Sequence, residues 1–375
     1  MKLAILCGSL EPGKDGVGDY SRQLANYCRE EGHSVLLVSL NDSWVELDNI
    51  GTQEMRLSSS QSWTQRSTTL EKALTAFQPD WVSLQFVPYA YQKRGFCQEM
   101  AAALGTFAKK FRWHLMFHEL WLGLNPGDSL KYKILGWWQR RGVLQLVRSL
   151  SPALVHTHAT AYANFLQSNG IAATRLPLFS NIDIELAPDF PKFYELLARR
   201  ECNLTPLNRE HTFVAIFFGS LHPEWTPDGL MEKLAGKKLL FLSMGRLGHT
   251  GTQIWNDFAD KYATRAQFLN LGELSASEIS TALQFADAGV AASPWNLIEK
   301  SGSVAAMIEH GLPVLVTRND FLPDQQLELT PTLARHLHPI WKDNVNQLSK
   351  NPPSPRLPEI GSQFLADLHN RARLP

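Results

Sequence analysis

The chain has 375 residues, 44% of them apolar and 19% charged. That length exceeds one ordinary hydrophobic core and points to two domains, and that composition excludes a disordered chain. Lys plus Arg and Asp plus Glu balance at 36 each, so no net field draws in nucleic acid or an anionic membrane from a distance and any anion site has to be local.

The N-terminal MKLAILCGSLEPG has a short apolar run that stops at Gly8. It is too short for the core of a signal peptide and reads as a first strand; no window approaches the roughly 18 apolar residues of a membrane span, so the expected location is cytoplasmic. Cys7, Cys28, Cys97 and Cys202 lack metal-ligand spacing and read as reduced thiols.

Short apolar runs then alternate with helical patterns, the signature of βα units around a parallel sheet. In the first half the strands are expected at Leu3 to Leu6, Val35 to Val38, Trp81 to Phe86, His114 to Phe117 and Leu154 to His156. A helix is expected from Tyr20 to Glu31, opened by Gly18-Asp19 and closed near Gly32.

After the first strand, GSLEPGKDGVGDYSRQLA places Gly8, Gly13, Gly16 and Gly18 ahead of that helix. It has neither the GxGxxG order of a dinucleotide site nor the GKS/T ending of a P-loop. What remains is either a plain βα turn or a glycine loop whose helix-start N–H groups suit an anion or a sugar hydroxyl.

Two further strand ends carry polar and aromatic residues. In QFVPY, Gln85 and Tyr89 offer an amide and an aromatic face suited to sugar stacking. His118-Glu119 follows the fourth strand, where His118 would bond a sugar hydroxyl or an acceptor and Glu119 would orient it, unless the pair is structural.

KYKILGWWQRRG holds Trp137 and Trp138 in an amphipathic basic stretch. It reads as a partly buried helix with a solvated basic face, or as a surface for a membrane or an apolar acceptor. His156-Thr157-His158 has two imidazoles on one side of an extended segment but no third ligand spaced with them, so no metal is expected there.

A second series of strands begins at Phe213 to Phe218 and continues with Leu239 to Ser243, Phe268 to Leu271, Ala288 to Ala291 and Pro313 to Thr317. Between the series, Asn181 to Arg209 shows no strand and holds three prolines, Pro188, Pro191 and Pro206. The expected division is therefore 1–182, 183–350 and a tail from 351 to 375. After NPPSPRL the tail is expected to form a helix from about Glu359 to Arg373 that packs back on the first domain. Two such sheets in series imply a cleft, with function at the carboxyl ends of the strands.

In the second half, strand Ala288 to Ala291 leads to Ser293-Pro294, then Glu299, Lys300, Ser301, Gly302 and a helix from about Ser303. A helix start offers backbone donors to a diphosphate, Lys300 a cation, and Glu299 an acceptor for sugar hydroxyls. The alternative is a capped helix with a solvated Glu-Lys pair.

GVGDYSRQLA resembles the N-terminal glycine loop of glycosyltransferase family 4, and FVAIFFGSLHPEW resembles that family's strand-plus-glycine opening of the donor domain. FLNLGELSASEISTALQFADAGVAASPWNLIEKSGSVAAMIEHGLPVLVT is similar to its most specific segment. The resemblance implies an α/β, GT-B architecture: two Rossmann-like, doubly wound parallel-sheet domains facing across a cleft. It implies a retaining, metal-independent transferase using a nucleotide diphosphate-sugar as substrate, with no other cofactor.

On that resemblance the catalytic residues are His118, Glu299 and Lys300. Donor binding falls to Gly16, Gly18, Gly219, Ser220, Arg246, Ser301, Gly302, Ser303 and Glu309, and the acceptor side to Asp19, Tyr20, Gln85, Tyr89 and Glu119. The chain departs from the family pattern where a ribose-binding Glu is usual: that place holds Ala306, with Glu309 the candidate replacement. Ser220 and Trp225 stand where the family has Arg and Lys, which leaves Lys300 and Arg246 to cover the diphosphate.

The expected partners are a nucleotide-sugar donor, an acceptor that is a glycan, a lipid or a small molecule, and a peripheral membrane contact; no nucleic acid is expected. The competing readings are another GT-B nucleotide-sugar enzyme, an epimerase or hydrolase, and a non-catalytic nucleotide-sugar binding protein.

Overall fold

The computed structural model describes residues 1–372 other than 235, 323–326, 328, 344, 346 and 347. The chain divides into two compact units, Met1–Pro177 with Leu357–Pro375, and Leu178–Arg356. Of the expected tail helix, Arg373 lies outside the described residues.

In the first unit the strands are β1 (Lys2–Cys7), β2 (Ser34–Asp42), β3 (Asn49–Ile50), β4 (Glu54–Ser58), β5 (Trp81–Phe86), β6 (Trp113–Phe117), β7 (Leu154–Thr157) and β8 (Thr174–Arg175). Its helices up to β8 are α1 (Gly16–Glu30), α2 (Trp63–Phe77), α3 (Pro88–Tyr91), α4 (Gln98–Gly105), α5 (Leu130–Leu150) and α6 (Thr160–Gln167). The sheet order is β3-β4-β2-β1-β5-β6-β7-β8, parallel except for the β3–β4 pair. Order reverses between β1 and β5, the switch point of a doubly wound sheet. β1 and β5 are buried along nearly their whole length because helices cover both faces, so they read as continuous apolar runs.

The second unit opens with α7 (Phe190–Arg199) and then alternates β9 (Thr212–Phe218), α8 (Asp228–Lys233), β10 (Lys238–Met244), α9 (Gly248–Lys261), β11 (Ala266–Asn270), α10 (Ala276–Phe285), β12 (Ala288–Ala291), α11 (Gly302–Glu309), β13 (Val314–Val316), α12 (Pro331–His336) and β14 (Leu337–Pro339). Its described strands form one parallel sheet in the order β11-β10-β9-β12-β13-β14. The reversal falls between β9 and β12, the arrangement of dinucleotide-binding folds. Alternation along the strands splits the core between the faces: Val214, Ile216, Leu240 and Leu242 fill one side, Ala215, Phe217, Leu239 and Phe241 the other.

The last helix, α13 (Leu357–Ala372), returns to the first unit. Ile360, Phe364 and Leu368 are fully buried on its inner face, and Phe364 meets the His114 ring edge-on at 5.3 Å. Gly361 lets the helix lie against α1, since a Cβ there would stand 2.4 Å from the Tyr27 ring. The four cysteines are free and buried. Among the described residues no helix is long and apolar enough to cross a membrane.

Candidate functional site

The carboxyl ends of the second unit's strands are stitched together by glycines. Gly219 N–H donates to the Met244 carbonyl at 2.9 Å and Gly245 N–H to the Gly272 carbonyl at 2.8 Å. Gly219 (φ 93°) and Gly245 (φ 86°) hold the left-handed conformation that lets the chain turn sharply at adjacent strand ends. Beyond its own chain neighbours, no atom lies within 4 Å of where a Cβ on Gly219 would be, so the switch point is open beside it.

Across that point, β12 leads to a 3-10 turn, Trp295–Lys300, and then to α11. Ser301 caps α11: its hydroxyl accepts from Val304 N–H at 3.4 Å and lies 3.1 Å from the Ser303 hydroxyl. Glu299 is buried, Lys300, Ser301 and Ser303 are half-buried, and Gly302 is exposed with open space where a Cβ would stand. The turn is therefore accessible at Gly302 and beside the N-terminal end of the helix, where backbone dipoles favour negative charge.

The cations near these strand ends differ in setting. Arg246 is exposed and pairs with Glu273 at 3.5 Å. Sequence reasoning missed Arg318, two residues beyond β13: it is buried, donates to the Ala292 carbonyl at 3.0 Å and to Asp320 at 2.8 Å through Nε. Its backbone carbonyl accepts from Trp295 N–H at 3.0 Å, which fixes the start of the 3-10 turn. The signal that would have found it is position alone, just past the strand next to β12.

Glu309 lies elsewhere. It is buried, with one oxygen accepting from Ser180 N–H at 2.6 Å and the other from Arg356 N–H at 3.1 Å. Burial lifts its carboxyl to about 7, against the pull of those two backbone donors. Its carboxylate is thus spent on the chain's own backbone rather than presented to a ribose.

In the first unit the glycine loop differs from expectation. The helix starts at Gly16, not Tyr20, because Asp15 caps it: its carboxylate accepts from Val17 N–H at 2.9 Å and Gly18 N–H at 3.2 Å. The Gly18 donor is thereby spent, and a carboxylate already occupies the end where a diphosphate would have to sit. Gly18 is required by packing, since a Cβ there would stand 2.1 Å from the Ser9 carbonyl. Gly8 also faces α3 closely, since a Cβ there would stand 2.5 Å from Ala90 Cβ, so this unit's switch point is shut where the other's is open.

Asp19 is half-buried and accepts from Gly13 N–H at 3.2 Å; burial raises its carboxyl. Tyr20 is buried, its ring edge-on to His118 at 4.9 Å. Tyr89 is exposed, its hydroxyl 3.1 Å from the Gln139 amide nitrogen, and Glu119 is half-buried. Gln85 is buried within a line of polar side chains that crosses β5, β6 and β7.

That line begins at the Leu176 carbonyl, 2.9 Å from His158 Nδ1. His158 Nε2 lies 3.0 Å from His118 Nδ1, and His118 Nε2 lies 2.9 Å from Gln85 Oε1. The Gln85 amide nitrogen donates to Ser83 Oγ at 2.7 Å, and Ser83 Oγ lies 2.8 Å from His114 Nδ1. His114 Nε2 meets His156 Nδ1 at 3.1 Å, and His156 Nε2 stands 3.3 Å from Asp367 Oδ2 on α13.

Each neutral imidazole carries one N–H. With the Gln85 oxygen toward His118, both His118 and His158 must donate outward, and the contact between them lacks a proton. With the amide turned over, neutral groups make every link from Leu176 to His156, and the missing proton belongs to the His156–Asp367 contact. Burial first, then the neighbouring imidazoles, push His118 and His114 well below the ordinary histidine range. That favours the second arrangement, with His118 neutral and both of its ring nitrogens engaged. Among the described residues, no group of three or more His, Cys, Asp or Glu is arranged to hold a metal ion.

No family model matches the chain, and no curated protein does. Solved structures do. The α,α-trehalose 6-phosphate synthase of Burkholderia multivorans aligns with a TM-score of 0.56 at 12% identity, covering 99% of each chain. HepE of Anabaena, solved in complex with UDP and glucose, gives 0.54 at 14% identity, covering 99% of this chain and 92% of that one. The UDP-GlcNAc 2-epimerase of Methanocaldococcus jannaschii gives 0.51 at 11% identity, covering 99% and 100%. At these identities the likeness is one of fold, and with two doubly wound parallel sheets in series that fold is GT-B.

Proposed function

We propose that the chain is a glycosyltransferase that moves a sugar from a nucleotide diphosphate-sugar to an acceptor hydroxyl, with the donor held by the second unit. The carrying observation is the contrast between switch points: open at Gly219 and Gly302 in the second unit, closed by Ala90 and capped by Asp15 in the first. The solved structures of similar fold add support, since HepE was solved with UDP and glucose and AviGT4 is a glycosyltransferase of avilamycin A biosynthesis.

In this proposal the diphosphate lies against the N-terminal end of α11, with Ser301, Gly302 and Ser303 around it. Gly219 and Ser220 border the same switch point. Lys300 supplies a cation and Glu299 accepts from sugar hydroxyls, while Arg318 and Arg246, paired with Asp320 and Glu273, stand at neighbouring strand ends. The acceptor oxygen bonds to the anomeric carbon as the carbon–oxygen bond to the diphosphate breaks. Negative charge grows on the leaving group, so donors fixed around it stabilise the transition state more than the ground state.

Retention without a metal follows in the proposal if the departing phosphate oxygen takes the acceptor's proton on the same face. His118, with its ring nitrogens bonded to neighbours, serves to shape the first unit's strand ends rather than to carry protons.

The test is thermal stabilisation by UDP, ADP, GDP and dTDP and their sugars, where a ligand at a hundred times its dissociation constant adds about 2.7 kcal/mol. A stabilising nucleotide, followed by sugar transfer that falls by about a hundredfold or more in Lys300→Ala, is the expected result. Stabilisation by no nucleotide diphosphate would remove the proposal. Donor turnover with no acceptor present would favour the epimerase or hydrolase reading, which the similar fold of the 2-epimerase keeps open. Binding with no turnover at all would favour a non-catalytic binding protein.

A further inference from the structure

The outward face of α5 gathers large apolar side chains in water along one helix. Leu130, Ile134, Trp137 and Trp138 are all exposed, Leu130 at 73% and the others at 47–54%. Their spacing of four, three and one residues places them on one face at 100° per residue. The buried positions Gly136, Gln139, Val143 and Leu146 occupy the opposite side. The helix therefore satisfies the core with one face and holds large apolar side chains in water with the other, at an unfavourable cost that a bare monomer has no reason to bear.

Charge is segregated on the same helix. It carries Lys131, Lys133, Arg140, Arg141 and Arg148 and no acidic residue, in a chain whose charges balance overall. Lys131 flanks the apolar pole on one side and Lys133 and Arg140 on the other, and the Arg141 guanidinium lies over the Trp137 ring, 4.7 Å from its centroid. Lys93 and Arg94 are exposed in the loop between α3 and α4, where the Arg94 carbonyl accepts from the Gln139 amide. From 120 to 150 the one carboxylate is Asp128, and it accepts from Asn125 N–H at 3.1 Å.

We propose that this face of α5 lies on an anionic phospholipid surface, with its aliphatic and indole side chains in the headgroup boundary and its Lys and Arg heads on lipid phosphates. An apolar pole flanked by cations is the pattern that binds bilayer interfaces, where Trp sits at headgroup depth and Lys and Arg extend their charges outward. A second copy packed through the same face would set cations against cations with no carboxylate to offset them. Single-stranded nucleic acid would match the cations and the indoles but gives Leu130 and Ile134 nothing to bury against. The surface is independent of the donor site, so lipid binding and sugar transfer stand or fall separately.

The test is co-sedimentation of the full-length chain with vesicles of phosphatidylcholine alone or with about a third phosphatidylglycerol, at low and at 0.5 M salt. The expected result is binding to the anionic vesicles that weakens in high salt. It drops by about tenfold or more in Ile134→Ala/Trp137→Ala/Trp138→Ala and in Lys131→Glu/Arg141→Glu, with unchanged circular dichroism and melting. A chain that stays in the supernatant with anionic vesicles at low salt overturns the proposal, as do variants that sediment like the parent. Binding of a labelled oligonucleotide through this helix in place of vesicles also overturns it.

Discussion

Glu309 ties together the two ends of the second unit: Ser180 lies two residues inside its start and Arg356 is its last residue, and both donate backbone N–H groups to one carboxylate. A carboxyl lifted to about 7 by burial, from an ordinary 4.5, binds its proton more tightly folded than unfolded. Its contribution is therefore present in full below pH 4.5 and is lost as pH rises through 7, a loss of about 3 kcal/mol at 1.36 kcal/mol per unit. Urea midpoints should fall between pH 5 and pH 8 in the parent and change less in Glu309→Gln; equal slopes in the two would refute the assignment. Gly302 gives a cleaner separation of binding from folding. Nothing in the chain meets a Cβ there, and Ala is the better residue in a first helical turn. Gly302→Ala should leave stability unchanged or raised by up to about 1 kcal/mol, while weakening nucleotide diphosphate binding in calorimetry. Undiminished affinity would move the diphosphate away from α11.

At the scale of elements, the hydrogen-bonded line across β5, β6 and β7 depends on Gln85 bridging Ser83 and His118. Gln85→Leu leaves a buried hydroxyl and a buried imidazole each short of a partner, which costs about 1–3 kcal/mol per group. Denaturant unfolding should show that loss. An acceptor contact at Gln85 predicts the reverse pattern, a raised KM with unchanged stability. The same line shows what sequence carries and what it hides. The central strands were legible because a parallel sheet covered on both faces demands unbroken apolar runs, and nine runs read that way, among them Trp81 to Phe86 and Ala288 to Ala291, coincide with strands to within two residues, while Val35 to Val38 stops four short of the end of β2. The edges were not: EMRLS of β4, TR of β8 and LHP of β14 are short or polar, and only a partner strand makes them strands. Strand-end positions such as Gly219, Lys300 and Gly302 were legible from βα alternation. Whether Gln85, Tyr20 or Glu309 faces solvent was not, because burial of a polar group is decided by partners 33, 98 or 129 residues away, as in the pairs Gln85–His118, Tyr20–His118 and Glu309–Ser180.

For the whole molecule the decisive feature is that the first unit is discontinuous. Its sheet is finished by residue 175, yet α13, some 180 residues later, supplies Ile360, Phe364 and Leu368 to its interior and sets Asp367 against His156. Each such apolar side chain contributes about 1.5–3 kcal/mol of burial, so ending the chain at Arg356 removes roughly 5 kcal/mol or more from that unit alone. It also exposes the His114 ring that Phe364 covers and takes the carboxylate from His156. The second unit, closed from Leu178 to Arg356 around its own two-sided core, loses none of these contacts. Calorimetry of the truncated chain should therefore show one transition moved down by 10 °C or more, on the order expected for several kcal/mol in a domain of this size, and a second near its original temperature. A nucleotide that stabilises the parent should still raise the second transition, because its proposed site lies wholly in the unit left intact. Loss of both transitions together would mean that the two units fold as one, and an unmoved first transition would mean that α13 contributes little to the core it enters.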